Sequence, residues 1–131
     1  MDVVARAEAA LKALAGQFAR WLQDEIDKLD EARARVGLEG LGGDAGEVLY
    51  THAHDLKGLG GTYEFPIVTR MAASLCALLE EPALRAGTPL PLIDAHIDAI
   101  KAMVRDGIRD DLDPVGASVA TALETQVSVI R

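Results

Sequence analysis

Tyr50-Thr51-His52-Ala53-His54-Asp55-Leu56-Lys57-Gly58-Leu59-Gly60-Gly61-Thr62-Tyr63 is the stretch on which the reading of this 131-residue chain turns. At about 100° per residue, Leu49, Ala53, Leu56, Leu59, Gly60 and Tyr63 gather on one side of a helix, and that side must face a core. His54 falls near the centre of the opposite side, with Gly58 and Gly61 one and two turns farther along the same exposed stripe. A glycine inside a helix costs roughly 1 kcal/mol relative to alanine, so two of them aligned with an exposed histidine oppose helix stability. Access is the physical reason to keep them: a stripe without side chains lets another protein's surface approach the imidazole closely.

Outward from this stretch the helical period continues. Toward the N-terminus, Val3, Val4, Ala7, Leu11, Leu14, Phe18, Trp21, Leu22, Ile26, Leu29 and Val36 recur at threes and fours, and Gly16 divides them into a short first helix and a longer second one. The glycines between Gly37 and Gly43 make a loop. Asp44 followed by Glu47 has the form of a capping box opening a helix from about Ala45 to Tyr63. Pro66 suits the first turn of the next helix, which runs to about Glu81. Pro82, Gly87, Thr88 and Pro89 punctuate a connection. Another helix is predicted from Leu90 to Ile108, with Ile93, Ile97, Ile100 and Val104 inward, and Asp113-Pro114 opens the last one, to near Ile130. Short connections make neighbouring helices antiparallel. The expectation is therefore one all-α domain spanning residues 1–131: an antiparallel four-helix bundle with additional short N-terminal and C-terminal helices.

Composition agrees. Half the residues are apolar and few are aromatic, which favours packed helices over sheet. The 21 acidic and 13 basic side chains leave a net charge of −8, so nucleic acid and anionic lipid are repelled and both are excluded as partners. The single Cys76, in an apolar run, reads as a small buried hydrophobe. The start at Met1 lacks a basic segment followed by an apolar one, and no stretch is long and apolar enough to span a membrane, so the chain reads as cytoplasmic. With no linker or kinase homology it is expected to be free-standing, and a monomer is expected.

Histidine suits nucleophilic work, because an imidazole with a solution pKa near ~6.5 is largely neutral at cytoplasmic pH and offers a free ring nitrogen. Lys57, about one turn from His54, can reach a group attached to the ring and offset the charge of a phosphoryl group, an exposed contact worth about 0.2–1 kcal/mol. Asp55 shares the exposed side. Tyr50, a turn before His54, is either a partner contact or a stray surface aromatic, and is carried as a docking residue. No metal is expected: His52 and His54 point about 200° apart on a helix and cannot share an ion. His52 reads as a core-edge histidine bonded to a neighbouring helix, and His96 as a solvated residue between Asp94 and Asp98. The acidic residues Asp106, Asp110, Asp111 and Asp113 lack the loop of a calcium hand.

The run His54-Asp55-Leu56-Lys57-Gly58, with Gly61 following, resembles the signature of the histidine-containing phosphotransfer (HPt) family: a histidine, a lysine three residues on and a glycine four on, within a helical bundle. The Thr62 to Pro66 turn and the helix bearing Leu75, Leu79 and Glu80 extend the likeness loosely. The chain departs from the family at Glu64, where many members have glycine. The resemblance implies that His54 accepts a phosphoryl group on Nε2 from an aspartyl phosphate and passes it to another aspartate. The partners would be receiver domains of response regulators or of hybrid histidine kinases. The chain would need no cofactor of its own, magnesium being held by the partner receiver. Lys57 would steady the phosphoryl group, and Gly58, Gly61, Tyr50 and Asp55 would meet the partner. Such a protein is a carrier rather than an enzyme in its own right.

Two other readings use the same residues. A non-catalytic helical adaptor would dock a signalling partner through the His54 face without phosphoryl chemistry, and a detached phosphoacceptor module of a histidine kinase would pair two chains around the histidine.

Overall fold

A computed structural model describes residues 2–131, and every regular element among them is helical. The order is α1 (Val3–Glu39), α2 (Asp44–Thr62), α3 (Pro66–Leu79), the single turn α4 (Pro82–Arg85), α5 (Leu90–Asp106) and α6 (Pro114–Ile130). No helix is long and apolar enough to cross a membrane.

The helix boundaries follow from local chemistry. Asp2 caps α1 by accepting from the Ala5 N–H at 2.7 Å, and Gly40 ends it at a positive φ of 84° that glycine adopts without strain. The expected break at Gly16 is absent: α1 runs unbroken for 37 residues, because one glycine lowers helix stability without removing a backbone hydrogen bond. The expected short N-terminal helix is thus the first part of α1. The capping box is also absent. Gly43 is the N-cap of α2 and makes no side-chain cap bond, while Asp44 and Glu47 sit in the first turn and pair with Arg35 and Arg85 instead. Both carboxylates still lie at the positive end of the helix dipole. Pro66 and Pro114 open α3 and α6 as expected, the latter capped by Asp113, which accepts from the Val115 N–H at 2.9 Å. Gly107, left-handed at φ 69°, stops α5 at Asp106, short of Ile108. α6 is as long as α5, so it is no short appendage, and the only single-turn helix among the described residues is α4.

α3 is the central element. Val68, Ala72, Leu75, Leu78 and Leu79 have no exposed surface, and α3 packs on α2, α5 and α6. Leu22, Ile26 and Leu29 of α1, Leu49, Ala53 and Leu56 of α2, and Ile93, Ile97 and Ile100 of α5 close the core around it, with Ala120, Leu123 and Val127 of α6 laid on. Fully burying one such side chain stabilises by about 1.5–3 kcal/mol. Cross-helix forks fix the registers: Arg33 donates to both Asp94 oxygens at 2.6 and 3.0 Å, and Arg70 to both Glu124 oxygens at 2.9 and 2.6 Å. Cys76 is buried as expected, and desolvation pushes its thiol up to about 11, against a smaller opposing pull from Lys57.

Two expectations about burial are overturned. His96 is fully buried rather than solvated. Its Nδ1 lies 2.7 Å from the Leu92 carbonyl, to which it donates, and its Nε2 lies 2.8 Å from the Ser74 hydroxyl, from which it accepts. Burial holds its pKa below the ordinary histidine value. At the other end of the molecule, Val3, Val4, Leu11 and Leu14 share the helical period of the core residues yet are exposed, and no residue from Asp2 to Trp21 is buried. α1 outruns the helices it packs on. The aromatic trio Phe18, Trp21 and Tyr63, with ring centroids 5.5 to 5.9 Å apart, marks where that packing ends.

Candidate functional site

α2 presents its polar face as the sequence predicts. Leu49, Ala53, Leu56 and Gly60 are buried, Leu59 and Tyr63 are half-buried, and His54 stands outward with 59% of its side chain exposed. Among the described residues the His54 ring accepts and donates no hydrogen bond; the Asp55 carboxylate lies beside it, with Oδ1 3.9 Å from Nδ1. A solvated, unbonded imidazole keeps a nitrogen lone pair available for attack on an electrophile.

The ring is backed on one side by Tyr50, whose centroid is 6.2 Å away. Tyr50 is anchored in turn: the Arg85 guanidinium lies 5.5 Å from its ring centroid, and Arg85, itself buried, donates to the Leu79 carbonyl at 2.8 Å and to Glu47 at 2.8 Å. The single turn α4 thus holds Tyr50, half-buried, in place beside the histidine.

On the other side lies a groove of about 410 Å³ between α1 and α2, lined by Glu25, Lys28, His54, Asp55, Gly58 and Leu59. A Cβ added at Gly58 would meet nothing within 4 Å, so this glycine opens surface rather than serving internal packing. Gly61 is exposed but lies against α3: its N–H donates to Thr69 Oγ1 at 2.8 Å, and an added Cβ would rest 3.7 Å from that oxygen. Thr69 Oγ1 donates in turn to the Lys57 carbonyl at 2.7 Å, so one hydroxyl clips the last turn of α2 to α3. Gly60 is required by that contact, since an added Cβ would fall 2.6 Å from both Thr69 N and Thr69 Oγ1.

Two cations flank the histidine. Lys57 is half-buried, its side chain has no ion-pair or hydrogen-bond partner among the described residues, and it lies on the α3 side of α2, near enough to Cys76 to pull on its thiol. Lys28 comes from α1 across the groove. Its Nζ is 2.9 Å from Glu25 Oε1, and that hydrogen bond holds its pKa above the ordinary lysine value. Sequence reasoning finds Lys57, on the same helix as His54, and misses Lys28 and Thr69, whose places depend on how the helices cross. His52 is half-buried as expected, but the bond to a neighbouring helix is not made: its buried Nδ1 has no partner. No group of three or more metal-ligating side chains comes together among the described residues.

The α2 exit carries one strained residue. Glu64, at the position where the resembled family often has glycine, adopts φ 65°, and its carboxylate accepts from Arg109 Nη1 at 3.0 Å. Arg109 also covers the Phe65 ring at 5.1 Å and accepts from the Ile67 N–H at 2.8 Å through its carbonyl. The turn keeps the left-handed backbone without the glycine. Comparisons of the chain with protein-family models, with curated proteins and with solved structures find no match.

Proposed function

We propose that this chain is a histidine phosphotransfer protein, carrying a phosphoryl group on His54 between aspartates of receiver domains. In this reading α1, α2, α3 and α5 form the antiparallel four-helix bundle of the resembled family, with α6 laid over α3 and α5. The observation that carries the proposal is the exposed, hydrogen-bond-free His54 ring beside the bare backbone of Gly58. A partner's phosphoaspartate must bring its phosphorus within bonding reach of the ring, and a side chain at Gly58 would stand in the way.

The chemistry balances without a group held by this chain. The Nε2 lone pair of the neutral ring forms an N–P bond as the P–O bond of the donor's acyl phosphate breaks and leaves a carboxylate. The proton on Nδ1 stays, placing a positive charge on the ring that Asp55, 3.9 Å from Nδ1, offsets. Transfer onward reverses these steps on a second aspartate. Magnesium, if the partner is a receiver, belongs to the partner and neutralises the phosphoryl oxygens there. Lys28 and Lys57 meet the phosphoryl charge from the two sides of the histidine, Lys28 by exchanging its Glu25 contact for phosphoryl oxygens.

The test is incubation with a phosphorylated receiver domain, followed by acid and alkali treatment of the product. Acid-labile, alkali-stable phosphate that is lost in His54→Ala is the expected result. A His54→Gln protein that folds, binds its partner and still supports signalling would instead identify an adaptor.

A further inference from the structure

Arg85 is a charged residue only 4% exposed, on a helix of a single turn, and the phosphoryl chemistry proposed above does not use it. Its Nε donates at 2.8 Å to the carbonyl of Leu79, the last residue of α3, and its Nη1 donates to Glu47 at 2.8 Å. Capping a helix end asks only for a donor at the surface. Here the guanidinium is turned inward, with its carbon 5.5 Å from the centroid of the Tyr50 ring. Burying a cation costs free energy that its contacts must return, so this placement serves more than the cap. α2 is shaped to receive it. Gly46 leaves the room, since an added Cβ would stand 3.0 Å from Arg85 Cδ. Glu47 supplies the charge and Tyr50 the ring.

Gly46, Tyr50 and His54 follow one another at four residues, so they form one stripe along α2. The Tyr50 and His54 rings are tilted by 54° with centroids 6.2 Å apart, within the range of an aromatic pair. The His54 ring has no hydrogen bond among the described residues to hold it, and packing against Tyr50 limits its rotation. We infer that Arg85 is a positioning residue for His54, acting through Tyr50. It clamps the tyrosine ring, and that ring keeps the imidazole turned toward the Gly58 groove, where the phosphoryl group arrives. The inference rests on the phosphotransfer reading of His54. Arg85 is buried, so it touches neither the partner nor the phosphoryl group. In a helix two χ1 wells and two ring orientations are open to an unrestrained histidine, so releasing the ring leaves about one quarter of it competent.

The experiment is single-turnover transfer from a phosphorylated receiver, over a range of receiver concentrations. It compares the full chain with Arg85→Gln, Tyr50→Leu, Tyr50→Phe and the double variant Arg85→Gln/Tyr50→Leu, each checked for helicity by far-ultraviolet dichroism. Proton couplings across the His54 Cα–Cβ bond report the ring's rotamers in each protein. Arg85→Gln and Tyr50→Leu should each lower the saturating rate by up to about fourfold. In Arg85→Gln the half-saturating receiver concentration stays where it was while the His54 couplings become averaged. Tyr50→Phe, which keeps the ring, should recover most of the rate lost in Tyr50→Leu. The double variant should be no slower than Tyr50→Leu, since the two residues act in series. A folded Arg85→Gln with the wild-type saturating rate, or one altered only in half-saturation, overturns the proposal, and so does a double variant slowed by the product of the two single effects. Where Arg85→Gln fails to fold, Arg85→Lys takes its place under the same criteria, because it keeps a cation for Glu47 and loses the planar face over Tyr50. A wild type that accepts no phosphoryl group ends the phosphotransfer reading by itself, and the couplings then decide the positioning. One rotamer in the wild type with averaging in Arg85→Gln upholds it, and averaging already in the wild type overturns it.

Discussion

Gly58 and Gly60 lie two residues apart on one helix, and the structure assigns them opposite consequences for the same substitution. At Gly58 an alanine methyl meets nothing within 4 Å. The change removes backbone freedom from the unfolded chain and supplies the better helix former, which stabilises by roughly 1 kcal/mol. For a domain of this size that is a rise of roughly 3–5 °C in melting temperature. At Gly60 the methyl would stand 2.6 Å from Thr69 N, 2.6 Å from Thr69 Oγ1 and 3.1 Å from the Phe65 carbonyl oxygen. Because Thr69 N is backbone, the first turns of α3 must move, and the hydroxyl that bonds Lys57 O and Gly61 N must give up one or both bonds. Overpacking of about 1–3 kcal/mol and one or two lost bonds of about 1 kcal/mol each outweigh the propensity gain of roughly 1 kcal/mol. The net is a destabilisation of about 1–4 kcal/mol.

The assay is urea denaturation of both variants followed by the initial rate of phosphoryl transfer from a phosphorylated receiver. Gly58→Ala is expected to raise the urea midpoint and yet slow transfer by about tenfold, since a methyl wedged into a close interface costs on the order of 1–2 kcal/mol. Gain of stability with loss of transfer is the signature of a residue kept for access. Transfer at the wild-type rate in a stabilised Gly58→Ala protein would refute the role of that glycine. A destabilised Gly58→Ala would refute the open surface itself.

Other consequences are as concrete. His96 is held neutral by burial, its folded pKa below the 6.5 of an unfolded chain. Its full contribution is therefore present above that value and is lost as pH falls toward the folded pKa, because the unfolded state takes up the proton first. Urea midpoints taken from about pH 7.5 to about pH 5 should fall more steeply in the wild type than in His96→Gln, and equal slopes would contradict this. Glu64→Gly relieves a left-handed backbone that costs an ordinary residue roughly 1–2 kcal/mol and gives up an exposed ion pair worth at most about 1 kcal/mol. A small rise in melting temperature is expected, and a fall would mean that the Arg109 contact governs the turn. Lys28→Gln should leave the urea midpoint unchanged while slowing phosphoryl transfer up to about fivefold, the scale of one exposed charge contact. Unchanged transfer would leave Lys57 as the only cation to act at His54.

The sequence was most legible where one helix carries the whole signal. Everything asked of α2 is a relation among residues on a single 3.6-residue period. The inward set Leu49, Ala53, Leu56 and Gly60 and the outward set His54 and Gly58 therefore follow from spacing alone. Proline and aspartate punctuation placed the starts of α3 and α6 for the same reason, since those effects act within one turn. Gly16 misled because a glycine weakens a helix by an amount that a 37-residue helix absorbs, whereas a proline would have removed a bond. His96 misled because two flanking aspartates suggested solvent. On a helix, neighbours two residues away face elsewhere, and Ile93 and Ile100, three before and four after it on its own side, were the better guide.

What lay beyond reach is whatever depends on two helices at once. Lys28 is 26 positions from His54, and nothing in its surroundings, Asp27, Leu29 and Glu25, separates it from any other surface lysine. It becomes a site residue only because α1 crosses α2 at a height that opens one groove to both side chains. Thr69 is equally silent in sequence until its hydroxyl is seen between Lys57 O and Gly61 N. The same limit applies to the apolar stripe of α1, whose period is identical in its exposed and buried halves. Periodicity reports which face of a helix seeks cover, not whether this chain supplies it. Only the point where the neighbouring helices stop, at Tyr63, divides Leu14 from Leu22. A residue's chemistry is therefore readable from the chain, but its company is set by crossing and overlap, and in this molecule both the second cation beside His54 and the uncovered overhang belong to that second kind.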